Sequence, residues 1–109
     1  MKWIRVTETR NIPVREGRCV ELGGQQIAIF NLGDRFLAVD NACPHRGGPL
    51  CDGIVSGNHV VCPLHAYRVN LDTGNVVKPE VSVKVDTHPV RVENGVVLVE
   101  MEEEEEMAA

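Results

Sequence analysis

Residues 43 to 65 carry two short boxes, CPHRGGPL at 43–50 and CPLH at 62–65. Cys43 and His45 form a C-x-H pair, Cys62 and His65 form a C-x-x-H pair, and sixteen residues lie between the pairs. Side chains spaced this closely cannot all point into one ordinary core. The Pro and Gly around them mark loops rather than regular elements. Two thiols and two imidazoles on two loops are the donors that a metal centre with mixed soft and borderline ligands requires. The fold must therefore bring those two loops together.

Two kinds of centre take such a set. Zinc accepts two Cys and two His, usually with like ligands paired in sequence, and the chain would then be a structural zinc module for protein binding. A [2Fe–2S] cluster with two Cys on one iron and two His on the other takes the mixture directly. Each box here offers one Cys and one His, so two apposed loops can serve both irons. The mixed pairing favours the iron–sulfur centre over zinc.

CPHRGGPL followed by CPLH resembles the Rieske domain, and the resemblance spans roughly residues 2 to 100. It implies that Cys43 and Cys62 bind the inner iron of a Rieske-type [2Fe–2S] cluster and that His45 and His65 bind the outer one. DGIVSG at 52–57 and Asp72-Thr73-Gly74 are similar to one branch, the small subunit of assimilatory NAD(P)H nitrite reductase. The partner implied is a large catalytic subunit carrying FAD, sirohaem and a [4Fe–4S] cluster, which reduces nitrite to ammonia. The alternative is the Rieske ferredoxin of an aromatic ring-hydroxylating dioxygenase system, shuttling between a flavoprotein reductase and an oxygenase. Both readings make the chain an electron-transfer component of an oxidoreductase. No nucleophile–base pair, phosphate loop or flavin fingerprint accompanies the boxes, so no catalysis is expected from this chain alone.

Three further expectations follow from the resemblance. Some Rieske proteins join their ligand loops by a disulfide; its cysteines would fall at Gly48 and Leu64, so packing and hydrogen bonds must hold these loops. Ala66 stands where high-potential members place a serine, which favours the lower end of a range of roughly −150 to +300 mV. Arg46 and Arg68 flank the ligands and read either as solvated side chains or as groups that orient an acidic docking surface.

The rest of the chain reads as all-β, an antiparallel sandwich or small barrel with a cluster-binding subdomain that carries the two loops. Lys2–Val6 is a first strand with Trp3 as a core anchor. Arg18–Leu22 and Gln25–Asn31 flank Gly23-Gly24, a two-residue hairpin signal. Phe36–Asp40 returns as a strand. Gly53–Val61 forms a hairpin turning at Ser56-Gly57-Asn58, which explains the spacing between the boxes. Tyr67–Leu71 is a strand ended by Asp72-Thr73-Gly74. Val76–Glu80, with Pro79, resembles a proline-containing loop that shields the cluster. Val81–Val85 alternates strictly, implying one buried face. Val90–Glu93 and Val96–Glu100 pair across Asn94-Gly95. About nine or ten strands and no helix of note are expected.

A chain of 109 residues suits one domain, here 1–101 with the cluster-binding region at about 41–80. The net charge of −5 comes from Glu102–Glu106, because the remainder balances eleven basic against eleven acidic residues. Residues 102–109 therefore read as an acidic, disordered tail. Nothing is basic enough for nucleic acid. No apolar run is long enough for a membrane span, and no signal peptide is present, so a cytoplasmic location is expected. Cys19 reads as a small buried strand residue, Cys51 as buried or partly exposed. His59 and His88 read as ordinary strand or turn residues.

Overall fold

Ile27–Asn31 are buried without interruption, so the strand that contains them must have protein on both faces. In a strand successive side chains point to opposite sides. Ile27 and Ile29 belong to one core with Ile12, Ala38, Val97 and Val99. Ala28 and Phe30 belong to a second core with Val39, Leu50, Val60, Cys62 and Val69. The computed structural model describes residues 2–42, 48–63, 67–79 and 83–101.

Eleven strands occur among the described residues, in three antiparallel sheets. The first sheet has the order β1-β11-β10, from Lys2–Glu8, Val96–Met101 and Val90–Glu93. The middle sheet is β2 (Gly17–Leu22), β3 (Gln25–Asn31), β4 (Phe36–Asp40) and β9 (Thr87–His88), hydrogen-bonded in that order. The third runs β5 (Ile54–Ser56), β6 (His59–Val61), β7 (Arg68–Asn70) and β8 (Val76–Lys78). Short 3₁₀ turns at Thr9–Asn11 and Leu50–Asp52 are the other regular elements among the described residues. None of the described helices is long and apolar enough to cross a membrane.

The tight turns form where the sequence predicts them. Gly23 and Gly24 take φ of 57° and 82°, and Asn94 and Gly95 take 53° and 79°, the two successive positive values that a type I′ hairpin needs. Gly57, at φ 60°, turns β5 into β6 so that Ser56 faces His59.

Four expectations are corrected. Val76–Lys78 is a strand paired with β7, not a loop, and Pro79 is exposed. Residues 83–85 form no strand: the Val85 amide donates to the Gly74 carbonyl at 2.9 Å, and only an isolated Asn75–Lys84 bridge forms. Val83 is 45% exposed while Val85 is 4% exposed, so the alternating valines do not share one buried face. Trp3 is half-buried on β1 with the Arg91 guanidinium stacked 4.4 Å from its ring centre, a surface cation–π contact rather than a core anchor. Cys19 is exposed, because β2 has β3 on one side only and lies at the edge of its sheet. Residues 80–82 and the acidic tail at 102–109 lie outside the described residues.

Asp72 joins the middle and third sheets. Its carboxylate accepts from the Asn58 amide and from the Arg35 guanidinium, each at 2.9 Å. These two turns precede β6 and β4. The Asn58 bond, opposed by burial and assisted by the Arg35 guanidinium, holds the Asp72 carboxyl below its ordinary 3.8. A depressed pKa means that the folded state binds this proton less tightly than the unfolded chain does. The stabilisation is therefore full above pH 3.8 and is lost as pH falls through the lower folded value. Asp72→Asn should flatten the acid dependence of the urea midpoint below about pH 5, by about half a kcal/mol as befits a solvent-screened group. Identical acid slopes in the two proteins would exclude the linkage.

Candidate metal centre

Both predicted ligand loops are pinched at their feet. At the first, Ala42 and Pro49 form an antiparallel bridge, and the Leu50 amide donates to the Asn41 carbonyl at 2.8 Å. The chain then enters the Leu50–Asp52 turn, with Leu50 fully buried. At the second, β6 ends at Val61 and the Cys62 amide donates to the Tyr67 carbonyl at 2.7 Å. The two feet meet in one core, since Leu50 and Cys62 are members of the same buried set. The β5–β6 hairpin goes out and returns between them, as the sixteen-residue spacing implies.

Cys43, His45 and His65 lie outside the described residues, as do Arg46 and Ala66. Cys62 is the predicted ligand whose surroundings the structure describes. Its side chain is 3% exposed and is packed among Leu50, Val60 and Val69. A thiolate in such apolar surroundings is costly unless a positive centre compensates it. An iron centre would supply that compensation, and the Cys62 thiol is in no disulfide. The donor set and the burial of its described member thus fit an iron–sulfur centre. Among the described residues no three His, Cys, Asp or Glu side chains converge into a second metal site.

Asn41 carries the first loop. It is 4% exposed, and its side-chain oxygen accepts the Cys51 amide at 2.9 Å. Its backbone amide donates to the Gln26 carbonyl at 2.9 Å, and its side-chain amide reaches Gln26 Oε1 at 3.3 Å. One residue therefore ties β3, the end of β4 and the returning turn together. Sequence reasoning missed it; the available signal was an Asn between a strand and a ligand box, where its short amide can bond nearby backbone. Gly53 was missed too: a Cβ there would overlap the Val61 carbonyl oxygen, immediately before Cys62. His88 has a partner that the sequence did not reveal, the Asp40 carboxylate at 2.8 Å, joining β9 to β4 beside the first loop. Tyr67 packs against the core, and Arg68 on β7 is exposed with no ion pair among the described residues.

A family model described as the Rieske-like [2Fe–2S] domain matches residues 2–100. The chain belongs to the Rieske-like [2Fe–2S] family. Its cofactor is a Rieske-type [2Fe–2S] cluster, a one-electron carrier. Among Rieske relatives, the ferredoxin component of naphthalene 1,2-dioxygenase/salicylate 5-hydroxylase systems from a Ralstonia species is 31% identical. That match covers 92% of this chain and 96% of the relative. A chain in the complex of reduced oxygenase and oxidised ferredoxin of carbazole 1,9a-dioxygenase superposes with a TM-score of 0.82 at 28% identity, covering 89% of this chain and 91% of that one. A Mycobacterium tuberculosis protein described as an NADH-dependent nitrite reductase small subunit superposes at 0.80 with 31% identity, covering 90% and 93%.

Replacing Asn41 by Ala leaves the part-buried Cys51 amide without its acceptor and removes the side-chain contact to Gln26. The Asn41→Ala protein should unfold with a free energy lower by about 1–3 kcal/mol in urea. It should also release iron faster to a chelator than the parent. Unchanged stability and iron retention would remove Asn41 from its role as the brace of the first loop.

Proposed function

We propose that this chain is a Rieske ferredoxin that accepts single electrons from a flavoprotein reductase and delivers them to the oxygenase of an aromatic ring-hydroxylating dioxygenase. The observation that carries this reading is the end-to-end match to a dioxygenase ferredoxin, 92% of one chain against 96% of the other. The complex of oxygenase and ferredoxin from the carbazole system supports the type of partner.

Cys43 and Cys62 hold the inner iron and His45 and His65 the outer one. When bound, the cluster supplies a one-electron couple whose neutral imidazole ligands raise its potential above that of an all-cysteine centre. The chain's own part is positional. Asn41 fixes the first loop, the Cys62–Tyr67 hydrogen bond closes the second, and Leu50 and Cys62 anchor both in one core. Arg68, exposed on β7 directly after the second loop, offers a positive charge to an acidic partner surface.

The nitrite-reductase reading takes second place. The end-to-end relatives named as ferredoxin components outweigh the short DGIVSG wording on which it rested. One observation still favours it, the 31% identity to the mycobacterial small subunit.

Reconstitution separates the two. The reduced protein, mixed with an aromatic-ring dioxygenase oxygenase, should be reoxidised and should sustain product formation when a flavoprotein reductase and NADH are supplied. If it instead restores NAD(P)H-dependent nitrite reduction to a large subunit stripped of its own small subunit, the ferredoxin reading fails. His65→Ala should abolish the mixed-ligand optical and EPR spectrum, and Cys62→Ser should prevent cluster assembly. A parent-like spectrum in either variant contradicts the ligand assignment.

A further inference from the structure

The two cysteines outside the ligand boxes lie on the edge strand β2 and in the turn at the foot of the first loop. In the β2–β3 register Gly17 lies opposite Phe30 and Cys19 opposite Ala28. Phe30 and Ala28 belong to the core against which Cys51 packs. A Cβ on Gly17 would stand 3.0 Å from the Cys51 carbonyl oxygen, so β2 runs directly past the Leu50–Asp52 turn on that face. Strand side chains two apart share a face, which points Cys19 to the same turn. Cys19 is close enough to act on the Cys51 thiol, whose sulfur reaches Asp52 Oδ1 at 3.8 Å. Cys19 is exposed and Cys51 half-buried.

We propose that Cys19 and Cys51 form a reversible disulfide, by exchange with a low-molecular-weight disulfide such as oxidised glutathione, that fastens the Leu50–Asp52 turn to β2 beneath the first ligand loop. The exposed Cys19 thiolate attacks one glutathione sulfur, forming a mixed disulfide and releasing one reduced glutathione. The Cys51 thiolate then attacks the Cys19 sulfur, closing the protein disulfide and expelling the second. Two protein thiols lose two electrons and two protons, and one glutathione disulfide becomes two thiols. Burial first, with Asp52 and Cys19 beside it, pushes the Cys51 thiol up to about 11. Cys51 is therefore the resolving thiol, and closure quickens about tenfold per pH unit below that value. Cytosolic disulfides of this kind are transient and redox-sensing. The turn being fastened is the one whose Cys51 amide Asn41 already holds.

The test uses cluster-loaded protein, treated anaerobically with oxidised glutathione at about pH 7 and about pH 8, acid-quenched and mapped without reduction by mass spectrometry. The expected result is a linked pair of peptides containing Cys19 and Cys51, formed about tenfold faster at the higher pH while the cluster absorbance persists. Cys19→Ser should show no link and no glutathione, whereas Cys51→Ser should retain glutathione on Cys19. The oxidised parent should lose its cluster to a chelator at least twofold more slowly than the reduced parent. Glutathione that stays on Cys19 of the parent at both pH values, or links made only through Cys43 or Cys62, would overturn the proposal.

Discussion

The double burial of β3 is the constraint from which the rest of the molecule follows. Ile27 and Ile29 fill one core and Ala28 and Phe30 the other. Because side-chain direction alternates with a period of two, a slip of one residue would exchange the two sets and misfit both cores. The strand ends on Asn31, whose buried amide donates to the Ile12 carbonyl at 2.7 Å and whose oxygen accepts the Gly33 amide at 2.8 Å. β4 repeats the division, with Ala38 in the first core and Val39 in the second. The chain thus reaches Asp40 with its register fixed, and the first ligand loop departs from a rigid base.

The metal centre is set on that base by hydrogen bonds rather than by covalent bridges between its loops. Each foot is closed by a backbone bond, Leu50 to Asn41 in one case and Cys62 to Tyr67 in the other. Gly53 lets the returning chain lie against the Val61 carbonyl, so the foot of the first loop and the strand that delivers Cys62 are in direct contact. Asn41 adds two bonds from a side chain of a residue that is only 4% exposed. In apolar surroundings such bonds are strong, and leaving one unmade is costly. The arrangement holds two loops without any residue at Gly48 or Leu64 able to form a bridge.

What could be read from the sequence was what short-range chemistry decides. Gly23-Gly24 and Asn94-Gly95 specify their turns alone, because few residues other than Gly and Asn tolerate positive φ there. The ligand boxes specified the cofactor for a similar reason: two Cys and two His in mixed pairs suit few centres. Residues 83–85 misled because alternation reports a strand only if a partner strand is available. Here the Val85 amide is taken by the Gly74 carbonyl, and Gly74 itself has no room for a side chain beside Val85. Trp3 and Cys19 misled because apolar character does not say which sheet edge a residue will occupy. The ordering of the two partner readings was reversed for a related reason. DGIVSG lies around the cluster, where family members share the same demands, whereas partner choice is a property of surface that no short motif encodes.

The described cysteines show how far surroundings outrank residue type. Cys62 sits in the core that also holds Leu50, Val60 and Val69, at 3% exposure. Cys51 is half-buried beside a carboxylate, and its thiol is held protonated at neutral pH. Cys19 stands on the edge strand in reach of solvent. The gradient runs outward from the first loop's foot. A sulfur enclosed in the core, one that resists ionisation and one that meets solutes first are separated by a single strand and a single turn. Their chemistry is therefore set by the same packing of β2 and β3 against Leu50–Asp52 that supports the cluster loops.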